Sequence, residues 1–220
     1  MSLLRRLHGQ YVHSRRVRVL RDALSRLIPQ NARVLDVGCG DGLLARLIMD
    51  QRKDVEISGI DVLVRRETMI PVSGFDGSQI PFPDKSFDAV MFIDVLHHTE
   101  DPMVLLSEAK RVAARAIVIK DHRLNGFFAG PTLRFMDWVS NAPHGVVLPY
   151  NYWPHDKWWK SFASMNVEVA AWQEDLRLYP KPADWLFGRS LHFVSRLEMP
   201  TESKASTEAN AQGQSTAAGV

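Results

Sequence analysis

The sequence has one cysteine, no long apolar segment and only a small excess of positive charge. Cys39 alone cannot form an intramolecular disulfide, and such cysteine usage is typical of a reducing compartment. No apolar run approaches the ~20 residues that span a bilayer, and no segment has the order of a signal peptide. We therefore expect a cytoplasmic protein. The formal net charge of +2 does not by itself indicate a nucleic-acid partner.

Much of the positive charge lies near the N-terminus. Apolar residues recur at helical spacing over residues 11 to 28, which predicts a helix that ends at Pro29. The arginines on its other face predict a solvated surface, with peripheral contact to a membrane as the alternative. The arginines in question are Arg5, Arg6, Arg15, Arg16, Arg18, Arg21 and Arg26.

Short apolar strands alternate with helices along the middle of the chain. Strands are predicted at 33–37, 55–60, 69–75, 87–93 and 116–120, with helices of about ten residues from 43 and over 101–113. This alternation is typical of a parallel sheet covered by helices on both faces. Two further apolar segments, 167–172 and 191–197, predict an antiparallel pair at the sheet edge. The predicted fold class is α/β, with a doubly wound, mostly parallel sheet of about seven strands.

The first predicted strand ends in a glycine-rich turn, residues 36–42 with the sequence DVGCGDG. Closely spaced glycines before a helix let the backbone approach a ligand, which predicts a nucleotide-like molecule. The dinucleotide pattern G-x-G-x-x-G is not met, because its third glycine position holds Leu43 and the extra glycine is Gly42. Asp36 favours a ligand with a cationic amino-acid part, with a role in organising the loop as the alternative.

The order of the motifs resembles a known family. VLDVGCGDG, then GID, then FDG and IPFPDKSFDAVMFIDVLHH, within residues 32–122, are similar to the class I (Rossmann-like) S-adenosylmethionine-dependent methyltransferases of the small-molecule type. The resemblance implies a Rossmann-like fold, S-adenosylmethionine as cofactor, and methyl transfer to a small organic metabolite by in-line displacement. The predicted cofactor-binding residues are Asp36, Gly38, Cys39, Gly40, Asp61, Val62, Asp76, Gly77 and Asp94.

Each group of motif residues has an implied role in this family. The turn from Gly38 to Gly40 would wrap the amino-acid and ribose parts of the cofactor, with Cys39 packed in it and not a nucleophile. Asp61 would accept the ribose hydroxyls, which agrees with an acidic residue about 20 positions after the glycines. Asp76 would take the adenine amino group. Asp94 would contact cofactor and substrate, with a helix N-cap or loop role as the alternative.

Methyl transfer needs alignment of the reacting atoms and in some cases removal of a proton from the acceptor. His97, His98 and His122 are candidate bases because each follows the carboxyl end of a predicted strand. A structural or solvent-facing role is the alternative for each of them. No metal is expected, since no carboxylate or cysteine cluster in the sequence completes a ligand set beside the adjacent histidines.

Residues 124–160 are rich in aromatic residues and prolines and contain no clean strand, which predicts a helical and aromatic cap over the acceptor pocket. A satellite core of the same rings is the alternative. Asn141, His144, Tyr150 and Asn151 are the polar residues expected in the pocket, and His144 and Tyr150 are further catalytic candidates. The acceptor is expected to be an aromatic or apolar small molecule.

The predicted domain organisation has three parts. Residues 1–30 form a lid helix that carries Tyr11 and His13, residues 31–198 form the methyltransferase domain with the cap, and residues 199–220 form a disordered tail. Two other functions remain open: a non-catalytic S-adenosylmethionine-binding protein and a nucleic-acid methyltransferase. A nicotinamide dehydrogenase is disfavoured by the missing third glycine. Neither a nucleic-acid partner nor a transmembrane segment is expected.

Overall fold

The computed structural model describes residues 3–141, 149–181, 183–188 and 190–200, with side chains from residue 15 to 138 and in the later ranges. The helices are α1 (Leu3–Leu27), α2 (Leu43–Gln51), α3 (Pro102–Val112), α4 (Ala129–Asn141), α5 (His155–Ser164) and α6 (Ala183–Phe187). The strands are β1 (Arg33–Val37), β2 (Glu56–Asp61), β3 (Val72–Gly74), β4 (Phe87–Ile93), β5 (Ala113–Leu124), β6 (Trp153–Pro154), β7 (Glu168–Gln173) and β8 (His192–Glu198).

The sheet has the order β3-β2-β1-β4-β5-β8-β7, and the two-residue β6 pairs with the end of β5. Strands β1 to β5 are parallel, whereas β8 runs antiparallel to both β5 and β7. The strand order reverses between β1 and β4, which places a ligand crevice at their carboxyl ends. The predicted α/β fold with a doubly wound, mostly parallel sheet and a closing antiparallel pair is confirmed.

Alternate residues of the central strands pack on opposite faces, as the two-residue period of a strand requires. On β4, Ala89 and Met91 face the layer of α1 and α2, while Val90 and Phe92 face the layer of α3 and α5. Both faces are apolar because both are covered, which explains the nearly continuous apolar sequence of this strand.

Several predicted boundaries differ from the observed ones. Strand β5 continues to Leu124, well beyond the predicted end at residue 120, because β8 pairs along it as far as His122 opposite His192. The cap contains the short strand β6, which the sequence did not predict, and the two helices α4 and α5. Strand β3 is shorter than predicted, with three residues.

The N-terminal helix begins at least eight residues earlier than predicted, at Leu3. The side chains of Tyr11 and His13 on this helix, and the tail after residue 200, lie outside the described residues. Among the helices that the structure describes, none combines the length and apolar character needed to cross a membrane.

Gly59 of β2 allows the glycine-rich turn to pack against the sheet. An added Cβ at this position would lie 2.3 Å from Cys39 Sγ and 3.3 Å from Ile70 Cδ1. We expect Gly59→Ala to lower the free energy of unfolding by about 1–3 kcal/mol, as overpacking does. Combining it with Cys39→Ala should recover part of the loss, because the nearest atom is then removed.

The matched control for this prediction is Gly74→Ala on the neighbouring strand. An added Cβ there meets only Val64 Cγ2, at an ordinary 3.8 Å, so the change should stay within about 0.5 kcal/mol. Urea unfolding of the four proteins measures both effects. Equal destabilisation by Gly59→Ala and Gly74→Ala would show that the turn is not packed in this way.

Candidate functional site

The turn between β1 and α2 has a backbone that favours glycine. Gly38, Gly40 and Gly42 have φ angles of 73°, 60° and 75°, in the left-handed region. The Gly38 N–H donates a hydrogen bond to the Ile60 carbonyl at 2.8 Å, which holds the turn at the end of β2. An added Cβ at Gly38 would lie 2.5 Å from Val95 Cγ2. The turn is therefore packed between the ends of β2 and β4.

Asp61, at the end of β2, joins the glycine-rich turn to the loop that follows β2. Its Oδ2 accepts a hydrogen bond from the Gly40 N–H and its Oδ1 accepts one from the Leu63 N–H, both at 2.8 Å. A carboxylate has about four lone-pair positions, so two acceptor positions remain for the hydroxyls of a ribose. The predicted ribose-binding residue thus lies directly against the predicted glycines.

Asp36 is a carboxyl group buried behind the turn, with 2% of its surface exposed. Its Oδ1 is buried and has no hydrogen-bond partner among the described residues. Burial, and secondarily the charge of Asp61, raises the pKa of Asp36 to about 7. A positively charged ligand at this position would give Oδ1 a hydrogen-bond partner and would lower the raised pKa of Asp36. The ammonium-bearing part of S-adenosylmethionine fits this requirement.

Cys39 lies inside the same turn. Burial raises the pKa of its thiol to about 12, with the charges of Asp36 and Asp61 contributing. At neutral pH the side chain is therefore a thiol and not a thiolate nucleophile.

The loops after β2 and β3 meet at Val62 and Gly77. An added Cβ at Gly77, which has a φ of 86°, would lie 3.1 Å from Val62 Cγ1. Val62 is 65% exposed, so it offers an apolar surface on which a planar base could stack. Asp76 Oδ1 accepts hydrogen bonds from the Ser78 and Gln79 N–H groups at 2.8 Å, which lower the pKa of Asp76.

Asp94 follows β4 in the left-handed region, with a φ of 57°. Its carboxylate pairs with Lys120 Nζ on β5 and accepts a hydrogen bond from Arg16 Nη2 on α1 at 2.6 Å. Burial alone would raise the pKa of Asp94, but the charges of Lys120 and Arg16 outweigh burial and lower it. The carboxylate predicted to contact the cofactor and substrate is thus ion-paired to two cations of the chain itself.

Beyond Asp94 lies a buried layer of histidine and aspartate side chains. His97 Nδ1 lies 2.6 Å from Asp121 Oδ1, and His97 Nε2 lies 3.2 Å from Asp137 Oδ2. Burial would lower the pKa of His97, but the two carboxylates raise it to about 10. Asp121 is held in place in turn, because its Oδ2 accepts the Leu96 N–H at 3.0 Å.

The other histidines of this layer differ from His97. Burial and the charge of Lys120 lower the pKa of His122 and His192 well below the usual value, so both rings are neutral at pH 7. His98 is half-buried, and burial together with the charge of His97 lowers its pKa. The structure therefore brings His97, His98 and His122 together at one edge of the sheet but gives them different charges.

Asn151 fixes the cap to the loop after β4. Its backbone N–H donates to the His97 carbonyl at 3.0 Å, and its Nδ2 donates to the carbonyls of Thr99 and Glu100 at 3.2 and 2.9 Å. Its Oδ1 accepts the Trp153 indole N–H at 3.0 Å. Because both ends of the amide are hydrogen-bonded within the chain, Asn151 positions the cap.

Tyr150 is half-buried in a small apolar cluster of the cap with Leu133 and Tyr152. Arg134 lies over its ring, with the guanidinium carbon 5.7 Å from the ring centre. Tyr150 therefore packs among the other aromatic and apolar residues of the cap. The side chains of Asn141 and His144, the other two residues predicted for the acceptor pocket, lie outside the described residues.

The sequence prediction missed several charged or polar members of the site. They are Arg16, Lys120, Asp121, Asp137, Tyr152 and His192. A signal was available for two of them, because Lys120 and Asp121 directly follow the apolar residues of β5, where the carboxyl ends of parallel strands bind ligands. Nothing in the sequence connects Arg16 or Asp137 to this edge of the sheet.

Comparison with known proteins assigns the chain to a family. A sequence model described as a methyltransferase domain matches residues 11–168, which is more than half of the chain. The chain therefore belongs to a methyltransferase-domain family, and the predicted resemblance is confirmed. The family and the fit of the turn, Asp36 and Asp61 together identify S-adenosylmethionine as the cofactor.

Individual relatives cover shorter segments. The chain is 31% identical over 108 residues to 27-O-demethylrifamycin SV methyltransferase of Amycolatopsis mediterranei, which is 42% of this chain and 39% of the relative. It is 29% identical over 93 residues to tRNA U34 carboxymethyltransferase of Nautilia profundicola, 37% of this chain and 30% of the relative. These matches span less than half the length of the relatives.

A solved structure confirms the fold over a larger part of the chain. A chain in the complex between the Haloferax volcanii Trm112 methyltransferase activator and a methyltransferase superposes with a TM-score of 0.64. The match covers 87% of this chain and 93% of the other, at 15% identity. At this identity the likeness concerns the fold alone.

The buried carboxyl of Asp36 makes the stability of the cofactor-free protein depend on pH. Its pKa is raised from 3.8 to about 7 in the folded chain, so the folded state binds this proton more tightly than the unfolded state. Stability from this group is present in acid and is lost as the pH rises through about 7. The variant Asp36→Asn lacks this dependence on pH. As the pH rises from 5 to 8, we expect its free energy of unfolding to increase by about 1–3 kcal/mol relative to that of the original chain.

Thermal and urea unfolding at several pH values measure this difference. Asp41→Asn is the matched control, because Asp41 belongs to the same turn but its side chain is 42% exposed. A gap between Asp36→Asn and the original chain that stays constant with pH would contradict the assignment of a buried, ionisable Asp36.

Proposed function

We propose that this chain transfers the methyl group of S-adenosylmethionine to a small organic acceptor that binds beneath the α4 cap. The observation that carries the proposal is the buried polar layer at the carboxyl ends of β4 and β5, directly beside the glycine-rich turn. The glycine-rich turn and the polar layer are connected through Val95. Its side chain contacts Gly38, and its carbonyl accepts the His98 N–H at 2.9 Å.

The cap closes this layer from above. Asp137 of α4 reaches His97, and the Tyr152 hydroxyl donates a hydrogen bond to Asp137. Since His97 and Asp121 are almost completely buried, a small molecule would reach them more readily than a nucleic-acid strand. The rifamycin-modifying relative is consistent with such an acceptor, whereas the tRNA-modifying relative represents the alternative.

The described residues divide into two groups in this proposal. Gly38, Gly40 and Asp61 would hold the amino-acid and ribose parts of the cofactor, with Val62 and Gly77 beside the base. When bound, S-adenosylmethionine supplies a methyl group on a sulfonium centre. The buried layer and the cap would exclude water and orient the acceptor, and alignment of this kind provides much of the rate in a displacement reaction.

A transfer assay with methyl-labelled S-adenosylmethionine tests the proposal. The protein is incubated separately with a small-metabolite extract and with total RNA, and we expect label in the small-metabolite products. Asp61→Ala should lower the transfer rate about 10-fold or more, because hydrogen bonds to a charged group are lost. Label in RNA alone would contradict the proposed acceptor class, and label in neither fraction despite cofactor binding would favour a non-catalytic binding protein.

A further inference from the structure

Two imidazole nitrogens of neighbouring residues lie at one point of the buried layer. Nε2 of His97, a residue with 1% of its surface exposed, faces the Asp137 carboxylate, and Nδ1 of His98 is buried with no hydrogen-bond partner among the described residues. Buried polar atoms without a hydrogen bond are rare in folded proteins, and where they occur they often face a bound ion or water molecule. Both nitrogens can bind a metal ion, and at His97 the ion would take the place of the proton that lies between Nε2 and Asp137.

Asp137 of α4 brings a carboxylate to the same point. Its Oδ2 lies 3.2 Å from His97 Nε2, and the ligand atoms of His97, His98 and Asp137 all lie within 4.8 Å of one another. Two ligands that each lie about 2.1 Å from one metal ion, at tetrahedral or octahedral angles, are roughly 3.0–3.4 Å apart. The observed separation of the His97 and Asp137 atoms therefore fits a shared ion.

A second layer of hydrogen bonds orients these ligands. Asp121 Oδ1 lies 2.6 Å from His97 Nδ1, so a proton on Nδ1 would be shared with Asp121 and would leave Nε2 as the ligand atom. The Tyr152 hydroxyl donates a hydrogen bond to Asp137. A carboxylate behind a histidine ligand is a frequent outer-shell arrangement of metal sites.

A second group of possible metal ligands lies at this edge of the sheet, but the charge of its carboxylate is already balanced by two cations of the chain. Asp94, His97 and His122 also place ligand atoms within 4.8 Å of one another. However, the Asp94 carboxylate pairs with the Lys120 ammonium and the Arg16 guanidinium. A divalent ion there would have to approach two cations, whereas Asp121 and Asp137 supply negative charge around His97.

We propose that His97, His98 and Asp137 bind one divalent transition-metal ion. Two imidazoles and one carboxylate are a ligand set that suits Zn²⁺, Fe²⁺, Co²⁺ and Mn²⁺ and leaves coordination positions for other molecules. The sequence did not predict this site, because Asp137 is 39 positions after His98 and only the fold brings it to the two histidines.

The metal site also indicates the chemical class of the acceptor, an inference that rests on the proposed methyl transfer. The ion would lie beside the turn that carries Val95 and contacts the cofactor-binding glycines. An acceptor with a hydroxyl, phenol or carboxylate oxygen could occupy the remaining coordination positions. The substrate class that the site fits is thus an oxygen-bearing small molecule.

Cobalt binding tests the metal site without reference to methyl transfer. Tag-free protein that contains the whole 220-residue chain is titrated with Co²⁺, followed by the visible absorption of the bound ion, and with Zn²⁺ by calorimetry. We expect one ion per chain. His98→Ala and Asp137→Asn should each weaken binding by more than the roughly 10–100-fold that loss of an outer-shell partner costs. His155→Ala, which changes a half-exposed histidine on α5 outside the cluster, should bind like the original chain.

Two measurements keep the result interpretable. Each variant is checked for an unchanged melting temperature and for binding of S-adenosylhomocysteine, so that loss of the fold is recognised. The site is refuted if Co²⁺ gives no ligand-field absorption, or if a folded His98→Ala binds as tightly as the original chain. If the ion binds but methyl transfer survives its removal by a chelator, the metal site stands and its role in holding the acceptor is refuted.

Discussion

The ion pair between Lys120 and Asp94 is the interaction on which the carboxyl edge of this sheet depends. Lys120 lies on a central strand with 0% of its surface exposed, where an ammonium group without a counter-charge would cost several kcal/mol. Asp94 supplies the counter-charge, and its own backbone N–H donates to the Lys120 carbonyl at 2.9 Å. The left-handed backbone of Asp94 is the conformation in which both contacts are made.

This constraint determines how the next residues leave the sheet. After Asp94 the chain places Val95 against Gly38 and then turns into the short helical segment that carries His97 and His98. Arg16 adds a second cation to Asp94 and thereby joins α1 to the same point. The cofactor turn, the N-terminal helix and the polar layer under the cap are therefore connected through one partly buried carboxylate.

The cofactor half of the site was predictable from the sequence, and the acceptor half was not. Gly38, Gly40 and Asp61 lie in consecutive strand–turn units, where local sequence determines both the backbone and the direction of the side chain. Arg16 and Asp137 reach the site only because α1 packs against one face of the sheet and because α4 folds back over the sheet. Contacts of that kind depend on tertiary packing, for which neither hydrophobic periodicity nor motif spacing provides a signal.

We infer that the crevice between β1, β2 and β4 binds S-adenosylmethionine through Asp61 and the glycine-rich turn. Calorimetric titration with S-adenosylhomocysteine and, in parallel, with NAD tests it most directly. The structure predicts one site per chain for the sulfur ligand, at least about 10-fold weaker binding in Asp61→Ala, and much weaker binding of NAD. Equal affinity for both ligands, or binding that is unaffected by Asp61→Ala, would contradict this account of the site.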